Sequence, residues 1–291
     1  MSQLLVVLGA TGQQGGSVIN HVLSNPALRS QYQLRGVTRD VSKPASQALR
    51  QKAVEVVAAD LDEPATVKAA LAGAHTVFAM TRTIYDAQTK AREERQGRTI
   101  ADAAVASGVQ YLIWSTETHA GHESQGKYPV DSYDAKYEVE QYIRTLPAIR
   151  SAFVAPGTFL QNLQGMLAPQ VRFPWLDVVA DLGKFVGVIL AQPDKYQGKV
   201  LAASSCIHSL EEAAQLISRV SGKTVKYSVV PEEKYRSFLP PAGADNVVNM
   251  FLYIQDFGYY GASTDELVSW SIQQIDGPLV TLDKYIDAIR L

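Results

Sequence analysis

The chain has 291 residues, 46% of them hydrophobic, with 27 Lys and Arg against 29 Asp and Glu and a single cysteine. That length suffices for one large domain or two, and for a core that removes roughly three quarters of the unfolded chain's surface from water. The balanced charge gives no general field to hold nucleic acid or an anionic membrane, and the lone Cys206 excludes an internal disulfide framework or a CxxC pair.

Leu4 to Leu8 form a continuous apolar run of strand length, as expected of a parallel strand covered on both faces. Gly9-Ala10-Thr11-Gly12-Gln13-Gln14-Gly15-Gly16 follows at once, and from Ser17 the apolar Val18, Ile19, Val22 and Leu23 recur at helical spacing. The order strand, glycine loop, helix is what a diphosphate requires, because a tight turn without side chains lets backbone N–H groups and the helix dipole meet the anion. Gly9, Thr11, Gly12, Gln13, Gln14 and Gly15 are therefore the candidate phosphate-binding residues of a dinucleotide site.

Residues 33–38 read as a second strand whose end lies beside the adenosine ribose. An NAD-selective site usually places Asp or Glu there; this chain has Thr38-Arg39, with Lys43 shortly after. A guanidinium pairs with a 2′-phosphate, so NADP(H) is the expected cofactor. Arg39 and Lys43 also read as solvated loop charges, an alternative that nearby Asp40 keeps open.

Val54 to Ala58 is a third strand ending at Asp60-Leu61-Asp62, and Pro64 opens a helix to about Leu71. Thr76 to Met80 is the fourth strand, Asp86 to Ser107 a long helix stopped by Gly108, and Tyr111 to Trp114 the fifth strand. This alternation predicts an α/β Rossmann-type, doubly wound parallel sheet with its ligand off the strands' C-terminal ends, where Asp60, Leu61, Met80, Thr81 and Ser115 should lie. Asp60 and Asp62 read equally well as capping or solvated carboxylates.

Trp114-Ser115-Thr116-Glu117 ends the fifth strand. After a polar loop, Val139, Tyr142 and Ile143 share one helical face, which puts Lys136 in the first turns of a helix approaching the cofactor, either as a ribose ligand or as a solvated lysine. His119, His122, Glu117 and Glu123 share the loop but lack metal-ligand spacing; no metal is expected, and they read as an edge of the substrate cleft.

Phe153 to Gly157 reads as a sixth strand leaving the sheet, with a helix beginning over Thr158 to Asn162. An apolar stretch between Phe173 and Pro193 holds a helix ending near Ala191, followed by a strand over Gly198 to Ala203, a helix over Ser209 to Ser221, a strand over Val225 to Val229 and a helix from Pro231. Cys206 beside His208 sits at a strand end before a helix N-cap and reads as a small buried side chain, not a nucleophile. Met250, Ile254 and Phe257 have core spacing; Tyr253, Tyr259 and Tyr260 read as lining a substrate pocket or a partner surface. With no flexible linker, residues 1–156 should form the dinucleotide-binding domain and 157–291 a smaller C-terminal α/β lobe packed on it.

The sequence resembles the NmrA-like family, an atypical branch of the short-chain dehydrogenase/reductases. The resemblance rests on Gly9 to Val18, Val37-Thr38-Arg39-Asp40, Asp60-Leu61-Asp62, Tyr133-Asp134-Ala135-Lys136-Tyr137-Glu138-Val139-Glu140 and Pro156 to Leu163. It implies that Phe159 and Asn162 border the nicotinamide, with Phe159 otherwise simply core. It also implies one of two functions. Some relatives reduce small molecules with NADPH; others bind NAD(P) without turnover and report redox state to transcription factors or other proteins.

Short-chain dehydrogenases typically use Tyr-x-x-x-Lys. Here Ser132 stands four residues before Lys136 and Tyr133 only three, although one helical turn spans both spacings. The leading expectation is an NADPH-dependent reductase of a small carbonyl, imine or conjugated substrate. In it Lys136 is the proton source, Ser115 or Thr116 bonds the substrate, and His119 or Tyr133 is an auxiliary donor. The alternative is a non-catalytic redox sensor acting on a protein partner. Neither reading involves nucleic acid or a membrane. No apolar run reaches the ~18 residues of a membrane span, and no basic segment precedes Gly9 as in a signal peptide. A cytoplasmic protein is expected, or a nuclear one if it is regulatory.

Overall fold

The computed structural model describes residues 2–164 and 172–289. The first part runs β1 (Gln3–Leu8), α1 (Gln13–Ser24), α2 (Pro26–Gln31), β2 (Tyr32–Thr38), α3 (Pro44–Gln51), β3 (Glu55–Ala58), α4 (Pro64–Ala70), β4 (Thr76–Ala79), α5 (Thr89–Ala106), β5 (Tyr111–Ser115), α6 (Ala120–Glu123), α7 (Asp131–Arg144) and β6 (Arg150–Pro156). All six strands are parallel, in the order β3-β2-β1-β4-β5-β6. The apolar run of β1 is continuous because both faces are covered. Leu5 and Val7 point into a layer with Val18, Ile19 and Val22 of α1, and Val6 and Leu8 into one with Val67 of α4, Ile100 of α5 and Val139 of α7.

The rest of the chain is β7 (Thr158–Phe159), a 3-10 turn (Leu160–Gln164), β8 (Arg172–Leu176), α8 (Leu182–Ala191), α9 (Pro193–Tyr196), β9 (Val200–Ala203), β10 (Cys206–Ser209), α10 (Leu210–Ser221), α11 (Glu232–Arg236), α12 (Ala244–Phe257), α13 (Thr264–Ile272) and α14 (Leu282–Ile289). β10, β8 and β7 form a three-stranded sheet. With α10 to α14 it encloses a second core around Phe173, Trp175, Phe251 and Tyr253. α10 starts where Ser209 and Glu212 close a reciprocal capping box. Among the described residues no helix is long and apolar enough to cross a membrane.

The Rossmann-type sheet and its helices agree with the sequence reading; four features of the second half do not. β6 does not leave the sheet. It pairs with β5 on one side and β9 on the other, so β9 is a seventh parallel strand and the sheet does not end at residue 156. α8 likewise packs on α1 in the first core, against a boundary at 156. Val225 to Val229 is not a strand: Val225 N–H donates to the Ser218 hydroxyl, which donates to Val225 C=O, so neither group is free for a ladder. Finally, Tyr253, Tyr259 and Tyr260 cannot form a partner surface, being 0%, 4% and 9% exposed. Met250, Ile254 and Phe257 all pack in or against the second core.

Candidate functional site

The glycine loop turns at Gly9, whose φ of 65° lies in the left-handed region, and Gly12 N–H donates to Gly9 C=O at 2.8 Å. A Cβ on Gly15 would lie 2.5 Å from the Gly9 carbonyl oxygen and 2.9 Å from that of Leu8, so α1 can begin this close to β1 only with glycine there. Gly12 is the N-cap of α1; no side chain caps the helix and its first turn carries no acid. The first-turn N–H groups are thus left for an external acceptor, with Gly9, Thr11, Gly12 and Gln13 exposed around them. This uncapped cradle fits a dinucleotide diphosphate.

At the end of β2, Thr38 and Thr11 hydroxyls stand 3.5 Å apart, and Arg39 and Lys43 are exposed. Asp40 accepts from the Ser42 hydroxyl and N–H, which hold its carboxyl below the ordinary range. It is therefore turned to its own loop and not paired with Arg39. Asp60 makes a local turn and does not cap α4: its side chain accepts from Asp62 N–H, while its own N–H and C=O bond the hydroxyl of Thr66 within the helix. Asp62 pairs with Arg95 at 2.7 Å. Leu61 is half-buried against the sheet, and Met80 abuts Gly9.

β5 and α7 are locked together at the crevice. Trp114 Nε1–H donates to the Lys136 carbonyl at 3.0 Å, and the Thr116 hydroxyl reaches the same oxygen at 3.5 Å. Thr116 is 1% exposed. The Ser115 hydroxyl donates to Gln14 Oε1 at 2.9 Å, tying the end of β5 to the glycine loop. Lys136 Nζ donates to Glu93 at 2.5 Å, to the Thr83 hydroxyl at 3.1 Å and to Ser132 C=O at 3.3 Å. Glu93 on α5, its side chain 1% exposed, also accepts from Thr81 at 2.5 Å and Thr83 at 2.7 Å. Thr81 is thus placed at the crevice but committed to Glu93.

Tyr133 turns the other way. Its ring lies 6.0 Å from that of Tyr259, and the Tyr259 and Tyr260 hydroxyls donate to the Pro156 and Ala155 carbonyls at the end of β6. His119 is held between Asp134 at 3.2 Å and Glu138 at 3.1 Å. Tyr253 stacks on Phe257 with its hydroxyl sealed and unpartnered among the described residues. Phe159 packs against the first core, and Asn162 is exposed. Among the described residues no group of three or more His, Cys, Asp or Glu side chains is disposed to hold a metal ion.

Two functional candidates escape sequence reasoning, and a third, Glu117, reads there only as part of the edge of the substrate cleft. Glu93 sits in a charged run of α5 and looks solvated until α5 packs on α7. Thr83 lies in the loop after β4. Glu117, two residues beyond β5, has Oε2 sealed from solvent without a partner among the described residues, and burial, opposed by Lys136 and reinforced by Glu93, pushes its carboxyl up to about 8. Its position just past a strand's C-terminal end was the available signal.

The sequence pattern of the NmrA-like family matches residues 1–286. The NmrA-like family domain-containing oxidoreductase FrzB of Cladobotryum sp is 27% identical over 291 residues, 89% of this chain and 85% of that one. Among solved structures, the negative transcriptional regulator NmrA in complex with NAD superposes with TM-score 0.81 at 19% identity, covering 99% of this chain and 95% of that one. Citrobacter sp. triphenylmethane reductase complexed with NADP(H) superposes with TM-score 0.79 at 22% identity over 100% of both chains.

Proposed function

Because the chain belongs to the NmrA-like family, we propose that it is an NADPH-dependent reductase of a small, partly apolar carbonyl, imine or conjugated substrate. The α1 N-terminus with Gly9, Thr11, Gly12, Gln13, Gln14 and Gly15 would hold the diphosphate. Arg39, with Lys43, would hold the 2′-phosphate, and Lys136 the nicotinamide ribose. When bound, NADPH supplies two electrons and a hydrogen to the substrate. The chain's own residues orient the pair and handle the proton. Supporting this reading, FrzB is called an oxidoreductase, and triphenylmethane reductase was crystallised with NADP(H).

One observation carries the proposal. Lys136, Glu93 and Glu117 come from three different elements to the C-terminal ends of β4 and β5, beside the uncapped α1. Burying each such group costs several kcal/mol; a protein that only binds a dinucleotide needs the cradle and the ribose contact of Lys136, but not the sealed carboxyl of Glu117 beside them. The sensor reading has its own support: the Ser115 hydroxyl is already engaged internally, and NmrA itself is a negative transcriptional regulator.

The test is NADPH consumption across a panel of carbonyls, imines and conjugated ketones. Lys136→Ala should lower turnover at least a hundredfold while still binding NADPH. A wild-type protein that binds NADPH but consumes none on any panel member, and captures a protein partner only when NADP(H) is present, would replace this reading with the sensor.

A further inference from the structure

Glu117 is the carboxyl that the site leaves uncommitted. Its Oε2 is sealed from water and has no hydrogen-bond partner among the described residues, and the residue, half-buried overall, lies two positions past Ser115, which bonds Gln14 of the glycine loop. A carboxylate oxygen sealed without a partner loses hydration without replacement, which favours the protonated form. The charges that face it are Lys136 on α7 and Glu93 on α5, and these two are bonded to each other at 2.5 Å. Lys136 therefore answers mainly to Glu93, leaving Glu117 its proton at neutral pH; its carboxyl stands at about 8.

The other acids around Glu117 are phenols. Burial drives Tyr133, Tyr253, Tyr259 and Tyr260 above their ordinary value, which makes them weaker proton donors than Glu117 near neutral pH. The Lys136 ammonium is engaged by three acceptors.

We propose that Glu117 is the proton donor of this site, a role that rests on the reductase reading above. As the substrate's carbonyl or imine carbon takes two electrons and a hydrogen from the reduced nicotinamide, the Glu117 O–H bond breaks and an O–H or N–H bond forms on the substrate heteroatom. The carboxylate left behind lies near Lys136, which stabilises its charge, and it regains a proton from water at the crevice mouth. The net change is one NADPH and one proton consumed per substrate reduced.

Infrared titration of the cofactor-free protein tests the protonation state directly. Wild type should show a protonated carboxyl band at pH 7 that disappears with a midpoint at about 8 and is missing in Glu117→Gln. Since the folded chain keeps this proton where the unfolded chain has released it, wild type should lose stability relative to Glu117→Gln as pH rises from 5 to 8. That comparison also verifies that the variant folds.

With benzil, cinnamaldehyde and dihydroisoquinoline as probes, Glu117→Gln should lower kcat by about 10²–10⁴ with NADPH affinity within about threefold of wild type. Glu117→Asp should recover part of the loss, and wild-type kcat should fall above about pH 8. An ionised carboxyl at pH 7, or turnover that survives Glu117→Gln, overturns the donor role alone. A wild type that reduces no probe overturns the reductase reading and the donor role with it.

Discussion

Replacing Glu93 with Ala removes the acceptor at the centre of the buried cluster. Lys136 would then keep only the Thr83 hydroxyl at 3.1 Å and the Ser132 carbonyl at 3.3 Å, neither of which neutralises its charge. Breaking a buried pair by deleting one partner costs about 3–5 kcal/mol, a large share of the ~5–15 kcal/mol by which a domain is stable. Glu117 should soften this loss. With the like charge of Glu93 gone and Lys136 unpaired, its carboxyl should fall from about 8 toward the ordinary range and ionise. The cost should therefore lie near the lower figure at pH 8 and rise as pH falls, because the replacement partner is lost as Glu117 takes up its proton. Lys136→Met in the same chain removes the stranded charge, so the double variant should return to within ~1 kcal/mol of wild type. Urea denaturation of the four proteins at pH 5.5 and 8 measures this cycle. A single variant costing less than ~1 kcal/mol, or a double variant as unstable as the single, would refute the reasoning.

Two further outcomes follow from the cradle. Gly15→Ala places a Cβ 2.5 Å from a backbone oxygen that no rotamer can relieve; calorimetry should show NADPH binding abolished, and thermal melting should show ~1–3 kcal/mol lost. Arg39→Ala should weaken NADPH by about tenfold or more through loss of a charge-assisted contact and leave NADH unchanged. Fluorescence titration of the two cofactors reads both, and equal effects on them would refute the 2′-phosphate assignment.

The parts of the site legible in the sequence are those fixed within a few residues of chain. The strand, glycine loop and helix at Leu4 to Leu23 declare themselves because the turn's steric demand and the helix's periodicity are both local. Lys136 was placed on its helix by Val139, Tyr142 and Ile143. What stayed hidden depends on distant segments meeting. Ser115 is committed to Gln14, 101 residues away, and Lys136 to Glu93, 43 away; neither partner is signalled by its own neighbours. Glu117 reads with Glu123 as an edge of the cleft until its sealed, unpartnered Oε2 sets it apart. The Val225 to Val229 segment misleads for a related reason: its alternation suits a strand, but a side-chain hydroxyl from α10 occupies the backbone first.

The return of β9 to the first sheet bears on how this protein can be cut. Chain leaves the sheet after β6, builds β7 and β8, and comes back as β9, which pairs with β6 from Phe153–Val200 to Pro156–Ala203. A fragment stopped at residue 156 would expose that whole flank of β6 as an open edge of buried, apolar sequence, the kind of edge that recruits another chain. A nucleotide-binding fragment should therefore be cut to keep β9 with residues 1–156, since it is the strand that covers this edge.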